Sequence, residues 1–317
     1  MANWEKDLLA DLNEQLEAVQ RQMRTEGDYE RLVLLQRRAN DLLQEIEKND
    51  KFRDINKYIE DKIQYIDFKK AIKLLEVKLK KFDNTWGEAI LVMNHTSTMA
   101  GQYFVSRIRN LLDKQTGTFR YFPIGITVVS EKNKFGILTP LSQQLKVNCD
   151  SNLRPEEYTQ SVINKICTSL QTGSVIFIEI QNWDFLSKHQ DIMPWLLNDF
   201  WRILVAEGRK KVQDNKLRQV KFITIISAAS KMDLKKYKTL FKEHNVLEIS
   251  LSKWSKQDII SWLEEYSTGL INPGLNGEQI DDMAEEIYSR AKGVPSIVRS
   301  ELENELNLLL KSTSINL

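Results

Sequence analysis

The sequence is poor in the residues that mark several special classes of protein. Its two cysteines, Cys149 and Cys167, are too few for a disulfide framework, which favours a reducing compartment. Six prolines and 12 glycines are too few for a loop-rich or disordered chain. No apolar run approaches the roughly 20 residues that span a bilayer, and no signal peptide is recognisable. We therefore expect a cytoplasmic protein that does not enter a membrane.

Charge and histidine content exclude further classes. The net charge is +1, so nothing attracts the whole chain to nucleic acid or to an acidic membrane. The basic cluster at residues 209–218 has no aromatic residue for base stacking, and the cluster at 231–242 has Tyr237 adjacent to its lysines. We favour solvated surfaces over a nucleic-acid site. The three histidines, His95, His189 and His244, have no cysteine or acidic residue at metal-ligand spacing. No zinc site is predicted.

Residues 1–65 have the pattern of a helical hairpin. Apolar residues recur every three or four positions in two runs, Leu8 to Met23 and Leu32 to Ile46, which Gly27 and Asp28 separate. A third amphipathic piece follows, from Phe52 to Ile63. Short paired helices are marginal alone, so the hairpin should dock on its own chain, on another copy or on another protein. The predicted partner-binding residues are Leu9, Leu12, Leu16, Leu35 and Leu42.

From residue 66 the pattern changes to alternating strands and helices. The run 89–93 is continuously apolar, as a buried central strand requires, and four further strand candidates follow between helical segments. The predicted fold class is α/β, a P-loop NTPase-like parallel sheet with helices on both faces. An N-terminal helical hairpin precedes it and a C-terminal helical lid follows. The predicted domains are 1–65, the α/β core 66–252 and the lid 253–317.

The turn after strand 89–93 is where a P-loop protein carries G-x-x-x-x-G-K-[ST]. Here Thr96 takes the place of the first glycine, Gly101 keeps the second, Gln102 replaces the lysine and Tyr103 replaces the Ser/Thr. Glutamine supplies no cation to the phosphates, and tyrosine places no small hydroxyl on Mg²⁺. Threonine also resists the positive φ angles that glycine tolerates. The sequence therefore predicts a phosphate loop that no longer functions.

The metal-binding acid is the second requirement of an active site of this kind. The apolar strand 175–180 carries one acidic residue, Glu179, and Asp184 follows four residues after the strand, with no acidic pair at the end. We expect Glu179 to pair with a neighbouring base at the sheet edge. No metal, no cofactor and no catalytic residue is predicted.

In this order, these segments resemble the inactive STAND domains, degenerate relatives of signal-transduction ATPases in prokaryotic conflict systems. The resemblance covers roughly residues 66–311. It rests on five segments of the sequence. They are residues 66–68, Gly101-Gln102 with Arg107, residues 181–184, residues 251–255 with Asp258 and Trp262-Leu263, and Gly293-Val294-Pro295. In active relatives the last element contacts the nucleotide through its proline, so the resemblance implies Pro295 as a lid residue that here shapes a helix start. The N-terminal hairpin is similar to effector-associated helical domains.

The resemblance implies a non-catalytic adaptor or scaffold in a signalling or defence system. Its hairpin would recruit an effector that carries a matching helical domain, with self-association as a further possibility. The alternative is a switch that senses ATP or ADP through the backbone amides at Gly101 without turnover, since a bare helix N-terminus attracts anions. An active, divergent ATPase is a third reading.

Overall fold

The computed structural model describes residues 2–25, 29–66, 68–80, 82, 84–113, 117–147, 154–186, 188–267 and 275–314. Within its helices, the side chains of residues 2–9, 24–25, 29–30, 32–33, 44, 47–56 and 310–314 lie outside this description. The predicted break at Gly27 and Asp28 and the side chain of Leu9 therefore fall outside it. In the described part, no helix combines the length and apolar character that crossing a bilayer requires.

The chain divides into two compact units. The first comprises residues 1–66, 256–290 and 298–317, and the second comprises 67–255 and 291–297. The predicted domain boundaries at 65/66 and 252/253 stay predictions.

The N-terminal residues form two helices, α1 (Ala2–Thr25) and α2 (Tyr29–Ile63). Leu12, Leu16 and Val19 of α1 are buried together with Ala39 and Leu42 of α2. The hairpin therefore follows from the spacing of its apolar residues. The predicted third piece is not separate: α2 continues through it, because the chain between Ile46 and Phe52 contains neither glycine nor proline.

The second unit is built on a five-stranded parallel sheet, with strand order β2-β3-β4-β1-β5. Its strands are β1 (Trp86–Met93), β2 (Thr118–Gly125), β3 (Ser174–Gln181), β4 (Val220–Ser227) and β5 (Leu247–Ile249). β1, β3 and β4 are almost wholly buried, as their continuous apolar runs predict. The predicted α/β fold class is confirmed.

Helices connect the strands of this unit. They are α3 (Lys69–Leu79), α4 (Gly101–Asp113), α5 (Phe135–Leu145), α6 (Pro155–Thr168), α7 (Ile192–Pro194), α8 (Arg202–Asp214) and α9 (Lys238–Glu243). α5, which contains Pro140, is not predicted by the sequence pattern. The chain before α8 forms π-helical turns, Trp195–Trp201, that lead into this helix.

The C-terminal helices are α10 (Lys256–Tyr266), α11 (Gly277–Ala291) and α12 (Pro295–Ser314). Within the first unit, α10 is joined to the end of α2. The Trp262 indole N–H donates to the Lys62 carbonyl at 3.1 Å, and the Tyr58 hydroxyl donates to the Tyr266 carbonyl at 3.2 Å. These contacts anchor the long α2 on the lid helices.

Candidate functional site

The candidate site is the turn between β1 and α4, at the carboxyl end of the parallel sheet. This is where ligands bind in open α/β folds. Two residues of the turn, His95 and Ala100, have φ angles of 57° and 53°. These left-handed conformations are unusual for residues other than glycine. They allow the chain to fold back on itself between strand and helix.

Three successive backbone N–H groups of the turn point at the segment that follows β4. His95 donates to the Ser230 carbonyl at 3.1 Å, Thr96 to Ala228 at 3.1 Å and Ser97 to Ala229 at 3.4 Å. In a working phosphate loop, N–H groups of this turn wrap the phosphates. Here they are engaged by protein carbonyls.

Side chains of the turn strengthen the same contact. The Thr96 hydroxyl donates to the Ala228 carbonyl at 3.0 Å, and the Ser97 hydroxyl donates to the Ala229 carbonyl at 2.6 Å. These hydroxyls hold the turn closed against the 228–230 segment. A glycine in place of Thr96 would lack the first of these bonds.

Two further N–H groups of the turn are used within it. Met99 donates to the His95 carbonyl at 2.9 Å, and Gly101 donates to the Thr96 carbonyl at 2.8 Å. A Cβ atom on Gly101 would lie 2.6 Å from the Thr96 Cβ, so the threonine side chain fills the space beside the first residue of α4. The Gly101 amide that a nucleotide-sensing switch would use is therefore already bonded.

The two residues that follow Gly101 point in different directions. Gln102, in place of the lysine, is exposed, while Tyr103, in place of the Ser/Thr, is 5% exposed beside the fully buried Phe104. The tyrosine side chain packs in the core rather than presenting a small hydroxyl to a metal. The residues present do not fit a magnesium triphosphate.

The first acid, Asp184, binds the backbone of the 228–230 segment. Its carboxylate accepts the Ala229 N–H at 2.9 Å and the Ser230 hydroxyl at 3.4 Å. Asp184 thus holds the segment whose carbonyls hold the turn. In the described part of the chain, no three histidine, cysteine, aspartate or glutamate residues are grouped as metal ligands.

The second acid, Glu179, is 4% exposed. Its carboxylate accepts hydrogen bonds from the Tyr121 hydroxyl and, at 2.9 Å, from the Gln181 amide. A phenol and an amide therefore bind Glu179 in place of the basic residue that the sequence predicts. The nearby base, Arg109, contacts Tyr121 instead, with its guanidinium 5.2 Å from the centre of the tyrosine ring. Burial, and then the bond to Glu179, raises the pKa of Tyr121. Glu179 serves as an acceptor for a tyrosine that stays protonated.

Two cavities adjoin the turn. A cavity of about 180 Å³ touches Ser97, Gln102 and Glu179. A larger one of about 540 Å³ is lined by residues that include His95, Met99 and Val294. The larger volume is within the range of ligand pockets.

The predicted lid residue Pro295 lies at the first position of α12 and is buried. The following N–H, that of Ser296, donates to the Thr98 carbonyl of the turn at 3.1 Å. The structure therefore joins the first turn of α12 to the turn between β1 and α4 through Thr98. Whether any of the predicted cofactor-binding residues binds a ligand stays a prediction.

The predicted partner-binding leucines face each other. Leu12, Leu16 and Leu42 are buried between α1 and α2, and Leu35 is half-buried against them. These four leucines pack within the hairpin, and their role in partner binding stays a prediction.

Family models agree with this architecture. The model described as inactive STAND matches residues 64–225, just over half of the chain. This chain belongs to the inactive STAND family. A second model, effector-associated domain 9, matches residues 6–51 of this inactive STAND protein, which are the paired part of α1 and α2. No curated protein matches the chain.

Several solved structures are distantly similar to this inactive STAND protein. The ORC2 protein of Aeropyrum pernix, in ADPNP and ADP complexes, has 10% identity and a TM-score of 0.48, over 74% of this chain and 60% of that one. The Drosophila ORC bound to DNA has 13% identity and a TM-score of 0.46, over 76% and 60%. The Escherichia coli HORMA:CdnC:Trip13 complex has 12% identity and a TM-score of 0.33, over 75% and 72%. The chain spans about three fifths of the two ORC chains, and similarities at these scores carry no inference about function.

Proposed function

We propose that this protein is a non-catalytic adaptor in a prokaryotic signalling or defence system. Its N-terminal hairpin recruits a protein partner, and its degenerate core serves as a second protein-interaction module. The family match supports the absence of ATP turnover, and the effector-associated match supports recruitment. The partner class that fits is an effector carrying a matching helical domain.

The observation that carries the non-catalytic part is the closed turn. The N–H groups of His95, Thr96, Ser97, Met99 and Gly101 donate to carbonyls of the protein. A triphosphate that entered would have to displace these bonds, each with a net value of about 0.5–1.5 kcal/mol. It would do so without a lysine or a magnesium-binding hydroxyl to compensate. The geometry therefore favours the adaptor over the nucleotide-sensing switch.

Recruitment by the hairpin needs an accessible apolar surface as well as a stable pair of helices. The buried leucines hold the helices together, while Leu34 and Leu43 of α2 are 64% and 48% exposed. Isolated exposed leucines are common, but on a short hairpin they offer anchors for another helix. At 100° per residue the two leucines lie on opposite flanks of α2, one on each side of the buried set. We assign these two flanks to recruitment, with the buried set as their support.

Co-purification tests this assignment. The full chain is mixed with a protein that carries a matching effector-associated helical domain, and complex formation is followed by size-exclusion chromatography. The double variant Leu34→Glu/Leu43→Glu should lose the complex, while Leu74→Glu, at a 45% exposed leucine of α3, should keep it. Equal binding by all three proteins would contradict recruitment through α2. A complex that required ATP would instead favour the switch.

A further inference from the structure

We propose that an exposed apolar tip at the carboxyl edge of the core binds an acidic, apolar segment of a partner protein. The tip consists of Val128 and Val129, which follow β2, and Phe185, which follows β3. This inference rests on the proposed function, because it names a surface and a partner chemistry for the core module.

The two valines are displayed more openly than the other large apolar side chains in the described part of the chain. Val128 is 74% exposed and Val129 is 93% exposed. Each valine that stays in water forgoes the stabilisation of about 1.5–3 kcal/mol that full burial would give. Two adjacent valines at a loop end therefore form a surface that is suited to burial by another molecule.

The tip is held in one conformation by its own hydrogen bonds. The Thr127 N–H donates to the Ser130 hydroxyl oxygen at 2.9 Å, and the Ser130 N–H donates to the Thr127 carbonyl at 3.2 Å. The Lys132 ammonium donates to the same carbonyl at 2.6 Å. A preorganised loop loses little conformational freedom on binding, which favours affinity.

Contacts between loops extend the apolar surface to Phe185. The Asn182 side chain donates to the Ile126 carbonyl at 3.2 Å, which joins the loop after β3 to the loop after β2. Phe185 is 40% exposed, and the Lys132 ammonium lies 5.2 Å from the centre of its ring. The valines, the phenylalanine and the lysine are therefore parts of one surface.

Lysines on the loops at this edge of the sheet select the partner, in addition to Lys132. Lys188 is exposed on the loop after β3, and Lys231 is exposed on the loop after β4. Of the acids on these loops, Asp184 is turned to the N–H of Ala229, and Glu131, two residues after Val129, accepts the Asn133 side-chain amide at 3.1 Å. Apolar side chains beside lysines are complementary to a segment that presents apolar residues flanked by carboxylates.

Selection of short random peptides displayed on phage tests the proposal, with the full chain as the target. We expect enriched peptides that combine aromatic or aliphatic residues with Asp and Glu. Synthetic copies should bind the variant Val128→Ser/Val129→Ser at least about tenfold more weakly, the loss typical of an interface anchor. Binding to Val77→Ser, at a 49% exposed valine of α3, should be unchanged.

A charge pair of variants tests the acidic component. Lys188→Glu/Lys231→Glu should weaken binding and reduce its dependence on salt, whereas Lys73→Glu on α3 should not. Peptides without acidic residues, equal binding to the valine variant, or no enrichment would overturn the proposal. Self-association that requires the valines would overturn it in favour of a second copy as the occupant.

The proposed function can fail separately. The valine variant keeps the hairpin and the closed turn, so its effect on peptide binding is independent of co-purification and of nucleotide titration. If only the peptide experiment fails, the proposed binding surface is wrong and the adaptor function is still supported. If co-purification and nucleotide titration both fail, the adaptor function is contradicted, whether or not the peptides bind.

Discussion

The carbonyl of Ala229 accepts two hydrogen bonds from Ser97, one from its N–H at 3.4 Å and one from its hydroxyl at 2.6 Å. The N–H of Ala229 in turn donates to the Asp184 carboxylate at 2.9 Å. Ala229, in the segment that follows β4, thus joins the remnant phosphate loop to Asp184. Residues that an active relative would direct at nucleotide and metal are here directed at each other.

Replacing Asp184 with alanine should loosen this arrangement. The Ala229 N–H would lose its acceptor in a half-buried environment, at a cost of about 1–3 kcal/mol in the free energy of unfolding. Urea denaturation measures the loss. Asp191→Ala is the matched control, since Asp191 is an exposed acid of the same connection, and it should change stability by less than about 0.5 kcal/mol. Equal losses of unfolding free energy in the two variants would contradict a structural role for Asp184.

Restoring single motif residues should not restore nucleotide binding. Gln102→Lys should be tolerated, because Gln102 is exposed, but five N–H groups of the turn remain bonded to protein carbonyls. Tyr103→Thr should lower stability by about 3–5 kcal/mol, because it removes a buried aromatic ring. Thermal unfolding with and without Mg-ATP reports both effects. A nucleotide-dependent rise in Tm for Gln102→Lys would show that charge, and not the closed turn, was limiting.

The contact between Gly101 and Thr96 gives a double-mutant test. Gly101→Ala places a Cβ 2.6 Å from the Thr96 Cβ and should cost about 1–3 kcal/mol through overpacking. Adding Thr96→Gly should recover part of that loss, although it also removes the hydroxyl bond to Ala228. A coupling energy of about 0.5 kcal/mol or more in urea denaturation is expected for residues in contact. If the stability changes of the two single variants simply add, the contact between Gly101 and Thr96 is contradicted.

Much of the fold could be predicted from local patterns. The apolar runs of β1, β3 and β4 are continuous because these strands are buried on both faces. Such a run can be recognised from a short stretch of sequence, without knowledge of the strands beside it. The helix α5 was missed because Pro140 in its interior reads as a helix breaker. The amphipathic piece from Phe52 to Ile63 is part of α2, since no glycine or proline separates it from the run that ends at Ile46.

The site was predictable only in part. The replacement of the motif residues at Gln102 and Tyr103 is visible in the sequence. The acceptors of the turn are not, because they are backbone carbonyls of residues 228–230, which carry no side-chain signal. The pairing of Tyr121 with Glu179 was also missed, since their adjacency depends on the strand order β2-β3.

The buried thiol gives a prediction about pH. Cys167 is 3% exposed, and burial raises its pKa from 9.0 to about 12. The folded protein therefore keeps this thiol protonated at pH 8–9, where a thiol in the unfolded chain begins to ionise. Iodoacetamide at that pH should label Cys167 only in denaturant, as read by peptide mass mapping. As pH rises from about 9 toward 12, the unfolded state releases this proton first, so stability should fall. Rapid labelling of the native protein would contradict the burial.

Isothermal titration of the purified full chain with Mg-ATP and with Mg-ADP tests the central claim most directly. Because five N–H groups of the turn are engaged and no lysine follows Gly101, we expect no saturable heat at millimolar nucleotide. The same conditions should give no rise in Tm, since a ligand that binds the folded state stabilises it. Saturable binding of either nucleotide that is lost in a variant of the 95–103 turn would contradict the account.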